Sequence, residues 1–330
     1  MSPPSIRAVR LSKWYGRVTA VADLTVQIEP GVWGLLGPNG SGKTTFLRMV
    51  AGQLRPSLGK LEVCGAAPFQ SPAVLARVGY CPEADALYDD LSALEFVSAM
   101  AELDGYAPRE AKDRAVEALD GLGLKDAMER RMGGYSRGMR QRAKLAQALV
   151  KDPDVLILDE PLTGTDPKTR PKILEAIQKR AADGALVLVS THVLQEIEQI
   201  TDKLILMARG LLVARGSIME IRGLLDEHPH RIELRTPKPR ELGARLLEEV
   251  DGVVEVQLGD GVVQVLTRDP DSTYRGAVQV TVEAGIPVTS MTSPDASLEA
   301  LFHYLVERAQ RGAGTGADRG GGRRRAGGAS

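Results

Sequence analysis

The sequence predicts an α/β domain built on a largely parallel sheet, followed by a small α+β domain. Three observations carry this reading. Short β-branched runs alternate with helical stretches from residue 6 to about 223. A glycine-rich run stands between an apolar strand and a helix inside that stretch. From residue 231 the rhythm changes, and four short strands are interleaved with helices.

In chain order, strands fall at 20–28 and 32–36, the second leading straight into the glycine-rich run, and a third at 77–81. Residues 91–150 read as a helical subdomain. Ser92 followed by Glu95 is a capping box that opens its first helix, and its last helix is placed at 140–150. Strands return at 155–158, 185–190 and 203–207. Farther on, strands at 231–236, 253–258, 262–268 and 288–291 alternate with helices at 239–249 and 271–284, with a last helix at 296–309. The order βαββαβ is that of a ferredoxin-like sandwich, and Gly259, Asp260 and Gly261 mark its tight turn. The expected layout is a first domain at 1–223, a linker at 224–230, an accessory domain at 231–309 and a tail at 310–330. Residues 311–330 hold eight Gly, five Arg and one Asp, too little apolar surface to offset ordering entropy, so that tail is expected to be disordered.

Composition narrows the function. With 43% hydrophobic and 26% charged residues the chain has material for a sizeable core. No run approaches the ~18 apolar residues that read as a membrane span, and MSPPSIRAVR carries no signal-peptide core. Cys64 and Cys81 are too few for a disulfide framework, and four scattered His do not build a zinc site with them. The expected compartment is the cytoplasm. A net charge of −1 and few aromatics select neither nucleic acid nor a stacking platform for single strands.

Two segments carry the chemistry. Gly37, Pro38, Asn39, Gly40, Ser41, Gly42, Lys43 and Thr44, with Thr45 next, fit G-x-x-x-x-G-K-[ST] after a strand and before a helix. Glycines let backbone N–H groups close around a β-phosphate, and the helix adds the positive end of its dipole. Lys43 reaches the β- and γ-phosphates, and the Thr44 hydroxyl is suited to Mg²⁺. The second segment is the apolar strand 155–158 followed by Asp159 and Glu160. Asp159 fits a magnesium-coordinating position and Glu160 can polarise an attacking water. Read alone, the same pair would also suit a solvated acidic turn.

Between these segments stands Tyr135-Ser136-Arg137-Gly138-Met139, which resembles the signature motif of the ABC-family ATPases in a YSRGM form. The resemblance covers about residues 6–223. It implies a P-loop, ABC-type nucleotide-binding domain with ATP and Mg²⁺ as cofactors. By position it implies that Tyr15 stacks on adenine, with Trp14 as the neighbouring alternative. Glu83 stands where the family usually has the Q-loop glutamine, and is expected to meet Mg²⁺ directly or through water. Asp166 matches the D-loop, and His192 the switch histidine that hydrogen-bonds the γ-phosphate. Ser136 and Gly138 are expected to face the γ-phosphate held by Lys43 of a second subunit, in a head-to-tail dimer with itself or a homologue. Simple helix capping is the plainer role for Ser136.

The function implied is an ATP-hydrolysing subunit that drives a separate integral membrane permease. It would lie peripherally at the inner face of the cell membrane. Ser297-Leu298-Glu299-Ala300-Leu301-Phe302 resembles the close of bacterial efflux subunits, which favours export. The accessory domain then reads as a dimer brace or a sensor. A translation-associated or DNA-repair ABC ATPase, and a nucleotide-gated regulatory subunit, are the alternatives. No nucleic-acid partner is expected. No N-K-x-D motif occurs, which speaks against a GTPase.

Overall fold

A computed structural model describes residues 2–85, 87–167, 169–223 and 230–293. The expected linker beyond 223, the last helix at 296–309, the segment 297–302 and the tail at 310–330 lie outside the described residues. The chain forms two compact units that divide between Gly216 and Ser217.

The first unit opens with strands β1 (Ile6–Tyr15), β2 (Val18–Ile28) and β3 (Gly31–Leu36), then helix α1 (Lys43–Val50). Strand β4 (Leu58–Val63), the short helix α2 (Pro72–Leu75) and β5 (Val78–Cys81) follow. The helical region holds α3 (Ala93–Leu103), α4 (Pro108–Gly121) and α5 (Arg137–Leu149), with 3₁₀ turns before α5. Next come β6 (Val155–Asp159), α6 (Arg170–Ala182), β7 (Leu186–Thr191), α7 (Leu194–Glu198), β8 (Lys203–Ala208) and β9 (Leu211–Ser217).

Six of these strands form one sheet in the order β5-β6-β7-β3-β8-β9, with β5, β6, β7, β3 and β8 parallel. Their unbroken apolar runs follow from burial on both faces. Alternate side chains feed two cores. Val155, Ile157, Leu186 and Leu188 join Phe46, Leu47 and the small sheet β2-β1-β4, whereas Leu156, Leu158, Val187 and Val189 join α3, α4 and α5.

Sequence reasoning missed β1, β4 and β9. β1 pairs with β2 and β4 in continuous register from Ile6 to Ala8, but register shifts beyond it, with Arg10 at φ 50, interrupt the two-residue alternation that betrays a strand. The stretch 91–150 is not continuously helical. Ser92 caps α3 in the expected box, with Glu95 N to Ser92 Oγ at 3.1 Å and Ser92 N to Glu95 Oε2 at 2.8 Å. The helix expected at 140–150 begins at Arg137, three residues earlier, because Ser136 Oγ accepts from Met139 N at 3.3 Å and caps it.

The second unit contains α8 (Ile218–Gly223), β10 (His230–Arg235), α9 (Pro239–Glu249), β11 (Val253–Gly259), β12 (Val262–Thr267), α10 (Pro270–Glu283) and β13 (Ser290–Thr292). β13 starts two residues later than expected. The sheet order β11-β12-β10-β13 is antiparallel and completes the ferredoxin-like pattern. Asp260 and Gly261 make the turn between β11 and β12, with Gly261 at φ 70.

Candidate functional site

Strand β3 ends at Leu36, and the loop 37–42 turns the chain into α1. Two glycines there have no substitute. A Cβ on Gly37 would lie 2.3 Å from the Met207 carbonyl oxygen and 2.5 Å from Ser41 Oγ. Gly42 sits at φ 102, and a Cβ on it would lie 2.2 Å from the Ala20 carbonyl oxygen. As N-cap, Gly42 offers α1 no side-chain acceptor, so the first-turn N–H groups face the loop unspent.

Lys43 is buried and folds back into this loop. Its Nζ donates to the carbonyls of Gly37 at 2.6 Å and Pro38 at 3.4 Å, and lies 3.9 Å from Glu160 Oε1. Burial pulls its pKa below the ordinary lysine value, while the negative charges of Glu160, Asp159 and Glu83 pull it back up. Thr44 and Thr45 stand half-buried in the first turn of α1.

Strands β6 and β7 bring the acidic pair and the histidine to the same edge of the sheet, because β6 pairs with β7 and β7 with β3. Asp159 is fully buried. Ser190 Oγ donates to its Oδ1 at 2.5 Å, and its Oδ2 has no partner among the described residues. Glu160 follows at φ 51, its N–H donating to Ser190 O at 3.2 Å and Ser190 Oγ at 3.1 Å. That left-handed turn swings its carboxylate toward Thr163 Oγ1, which donates at 3.1 Å, and toward His192 Nδ1 at 3.0 Å. Thr191 donates to Glu196 at 2.9 Å, and Glu196 pairs with Arg170 at 3.3 Å.

Among the described residues no group of three His, Cys, Asp or Glu side chains could hold a metal ion unaided. The donors present fit a magnesium ion that takes part of its coordination from phosphate and water. A buried carboxylate oxygen without a donor among the described residues, near enough to Lys43 for their charges to interact, suits a metal-bound water. Ser41 Oγ is likewise buried without a partner among the described residues.

The structure thus gathers Lys43, Asp159, Glu160 and His192, with Glu83 close enough for its charge to act on Lys43. Ser136, Gly138 and Asp166 form a second group. Asp166 accepts from Thr169 N at 3.0 Å and Thr169 Oγ1 at 2.9 Å, and a Cβ on Gly138 would lie 3.3 Å from Thr169 Oγ1 and 3.4 Å from Asp166 Oδ2. The Ser136 hydroxyl caps its own helix. Tyr15 ends β1 with its ring exposed and Lys13 Nζ 5.4 Å from the ring centre; Trp14 is exposed as well. Sequence reasoning passed over Ser190, Thr163, Glu196 and Lys144. Ser190 had a signal, a polar residue closing the apolar run LVLV just before His192.

The family model for the ABC transporter matches residues 21–163. The daunorubicin/doxorubicin resistance ATP-binding protein DrrA of Streptomyces peucetius is 32% identical, over 93% of this chain and 94% of its own length. The chain belongs to the ABC transporter ATP-binding proteins. The uncharacterized ABC transporter ATP-binding protein YxlF of Bacillus subtilis is 38% identical, over 90% of this chain and 97% of its own. A solved ATP-binding subunit of an ABC transporter superposes with a TM-score of 0.62 at 26% identity, covering 67% of this chain and 92% of that one. The dimeric cassette MJ0796 shares the fold at a TM-score of 0.60 and 23% identity, over 64% of this chain and 98% of its own. This ABC cassette is therefore a transport-coupled ATPase, and the cluster around Lys43 and Glu160 is its candidate nucleotide site.

Proposed function

We propose that the chain hydrolyses MgATP in composite sites of a head-to-tail dimer, with itself or a homologue, and drives a separate membrane permease in the direction of export. The observation that carries the reading is the convergence of Lys43, Asp159, Glu160 and His192 at the carboxyl edge of one parallel sheet. Lys43 exchanges the carbonyls of Gly37 and Pro38 for β- and γ-phosphate oxygens. Backbone N–H groups of 37–44 enclose the β-phosphate, and Tyr15 stacks on the adenine. Thr44, Asp159 and Glu83 would hold Mg²⁺, and the ion would supply neutralisation of phosphate charge. Glu160 takes its place beside the attacking water and polarises it. His192 turns from Glu160 to hydrogen-bond the γ-phosphate. Ser136 and Gly138 at the start of α5, and Asp166, act on nucleotide bound to the other subunit.

Export is supported by a relative named for it, the Nod factor export ATP-binding protein I of Cupriavidus metallidurans, and fits one named for drug resistance, DrrA. Among the described residues no helix is long and apolar enough to cross a membrane, which fits a peripheral subunit held at the inner face by its permease. The test is extraction of the full chain from its own membranes in mild detergent. An integral membrane protein should co-purify in fixed ratio and raise ATP hydrolysis. Isolation of the chain from the soluble fraction alone, with full activity, would overturn the reading.

A further inference from the structure

Helix α5 reaches the Glu83 segment through three side chains. Lys144 is buried, and its Nζ donates to the carbonyls of Pro82 at 3.0 Å, Glu83 at 3.0 Å and Ala84 at 3.3 Å. Three ammonium hydrogens meet three acceptors, so the donor set is full. The acceptors belong to consecutive residues, which fixes the backbone on both sides of the Glu83 Cα. Arg140, one turn earlier on the same face, pairs with Asp85 at 2.5 Å and Asp89 at 2.6 Å and donates to Met132 O at 2.9 Å. Gln141 Nε2 approaches Cys81 Sγ at 3.8 Å.

An aliphatic side chain at 144 would fill the same space without desolvating a charge. What the ammonium adds is direction: three carbonyls converge on one point. The Glu83 segment is thereby tied to the helix whose first residues follow Ser136.

We propose that Lys144 is a positioning residue for the reaction: it holds Glu83 where its carboxylate meets the metal, and makes Glu83 and the Ser136 end of α5 move as one body. The proposal rests on the metal role assigned to Glu83 above. Loss of Lys144 therefore acts on the metal requirement of hydrolysis through Glu83, and leaves the phosphate loop alone.

The experiment is ATP hydrolysis by the full chain at saturating ATP, titrated with Mg²⁺, for the wild type, Lys144→Met, Glu83→Ala and the double variant. Lys144→Met and Glu83→Ala should each raise half-saturating Mg²⁺ about tenfold, with KM for ATP within about twofold of wild type. The double variant should be no worse than the poorer single one, because the two act in series. Lys144→Arg should recover part of the loss. Effects that multiply, or a Lys144→Met enzyme with a wild-type Mg²⁺ profile, overturn the proposal while leaving the role of Glu83 standing. A wild-type profile in Glu83→Ala overturns both. If Lys144→Met does not fold, hydrogen exchange on the wild type decides. Amides of 83–85 and of the first turn of α5 should gain protection at one MgATP concentration, and separate midpoints overturn the proposal.

Discussion

His192 Nδ1 stands 3.0 Å from Oε1 and 3.1 Å from Oε2 of Glu160. One imidazole nitrogen spans both carboxylate oxygens, and Lys43 Nζ approaches the same group at 3.9 Å. In this arrangement Glu160 is engaged by protein groups from two sides. Under the function proposed above, a water reaches Glu160 once His192 turns away and Lys43 moves to phosphate. The contacts thus link Lys43 and His192 through one carboxylate.

Glu160→Gln should keep ATP binding and abolish turnover, since the amide preserves shape and loses the carboxylate that polarises water. Nucleotide-bound dimers should accumulate and be visible by size-exclusion chromatography. Wild-type hydrolysis rates in this variant would remove Glu160 from the reaction.

Ser190→Ala removes the donor to Asp159 Oδ1 and one of two acceptors of the Glu160 N–H. Asp159 is then buried with neither oxygen served by a described residue. A loss of about 1–3 kcal/mol in unfolding free energy is expected, partly recovered by MgATP. Denaturant titration with and without nucleotide measures both.

Lys43 has its pKa lowered by burial, and incoming phosphates reverse that shift. A group whose pKa rises on binding takes up protons. At alkaline pH below 10.5, ATP binding should therefore draw protons from the buffer, and the calorimetric enthalpy should increase with buffer ionisation enthalpy. Lys43→Arg, which keeps a permanent charge, should show a flat dependence. Equal slopes in both proteins would place the proton elsewhere.

Shared sites are tested by mixing two inactive chains. Lys43→Ala weakens phosphate binding, and Ser136→Arg fills the position meant for the opposing γ-phosphate. In the mixed dimer one site collects both lesions and the other has neither. Hydrolysis should return on mixing and should rise with concentration as dimerisation does. Confirmed mixed dimers that stay inactive would overturn the composite site.

The nucleotide motifs were legible because their chemistry is local: a loop that needs glycine, a helix start, a strand ending in carboxylates. The buried strands 155–158 and 185–190 were legible from their apolar runs. β1 was not, because its pairing shifts register beyond Ala8 and Arg10, at φ 50, breaks the alternation there. The start of α5 was set too late even though Ser136 offered a cap, because glycine and arginine just after it look like loop residues; its hydroxyl accepts from Met139 N, so the helix starts at Arg137. Ser190 and Lys144 depend on contacts 31 and about 60 residues distant in sequence, which no local pattern reports.

The sheet order β6-β7-β3 places the loop 37–44 beside strands that occur far later in the chain. During synthesis the glycine-rich loop emerges first, and its partners Asp159, Glu160 and His192 follow only after the whole helical region has been made. No early-folding fragment contains the site. The nascent chain must close a long loop before the core around β3 is complete, which is slow and leaves apolar strand surface waiting. Nucleotide cannot template that step, since its binding groups are not yet together; its stabilising effect is felt only by the finished unit.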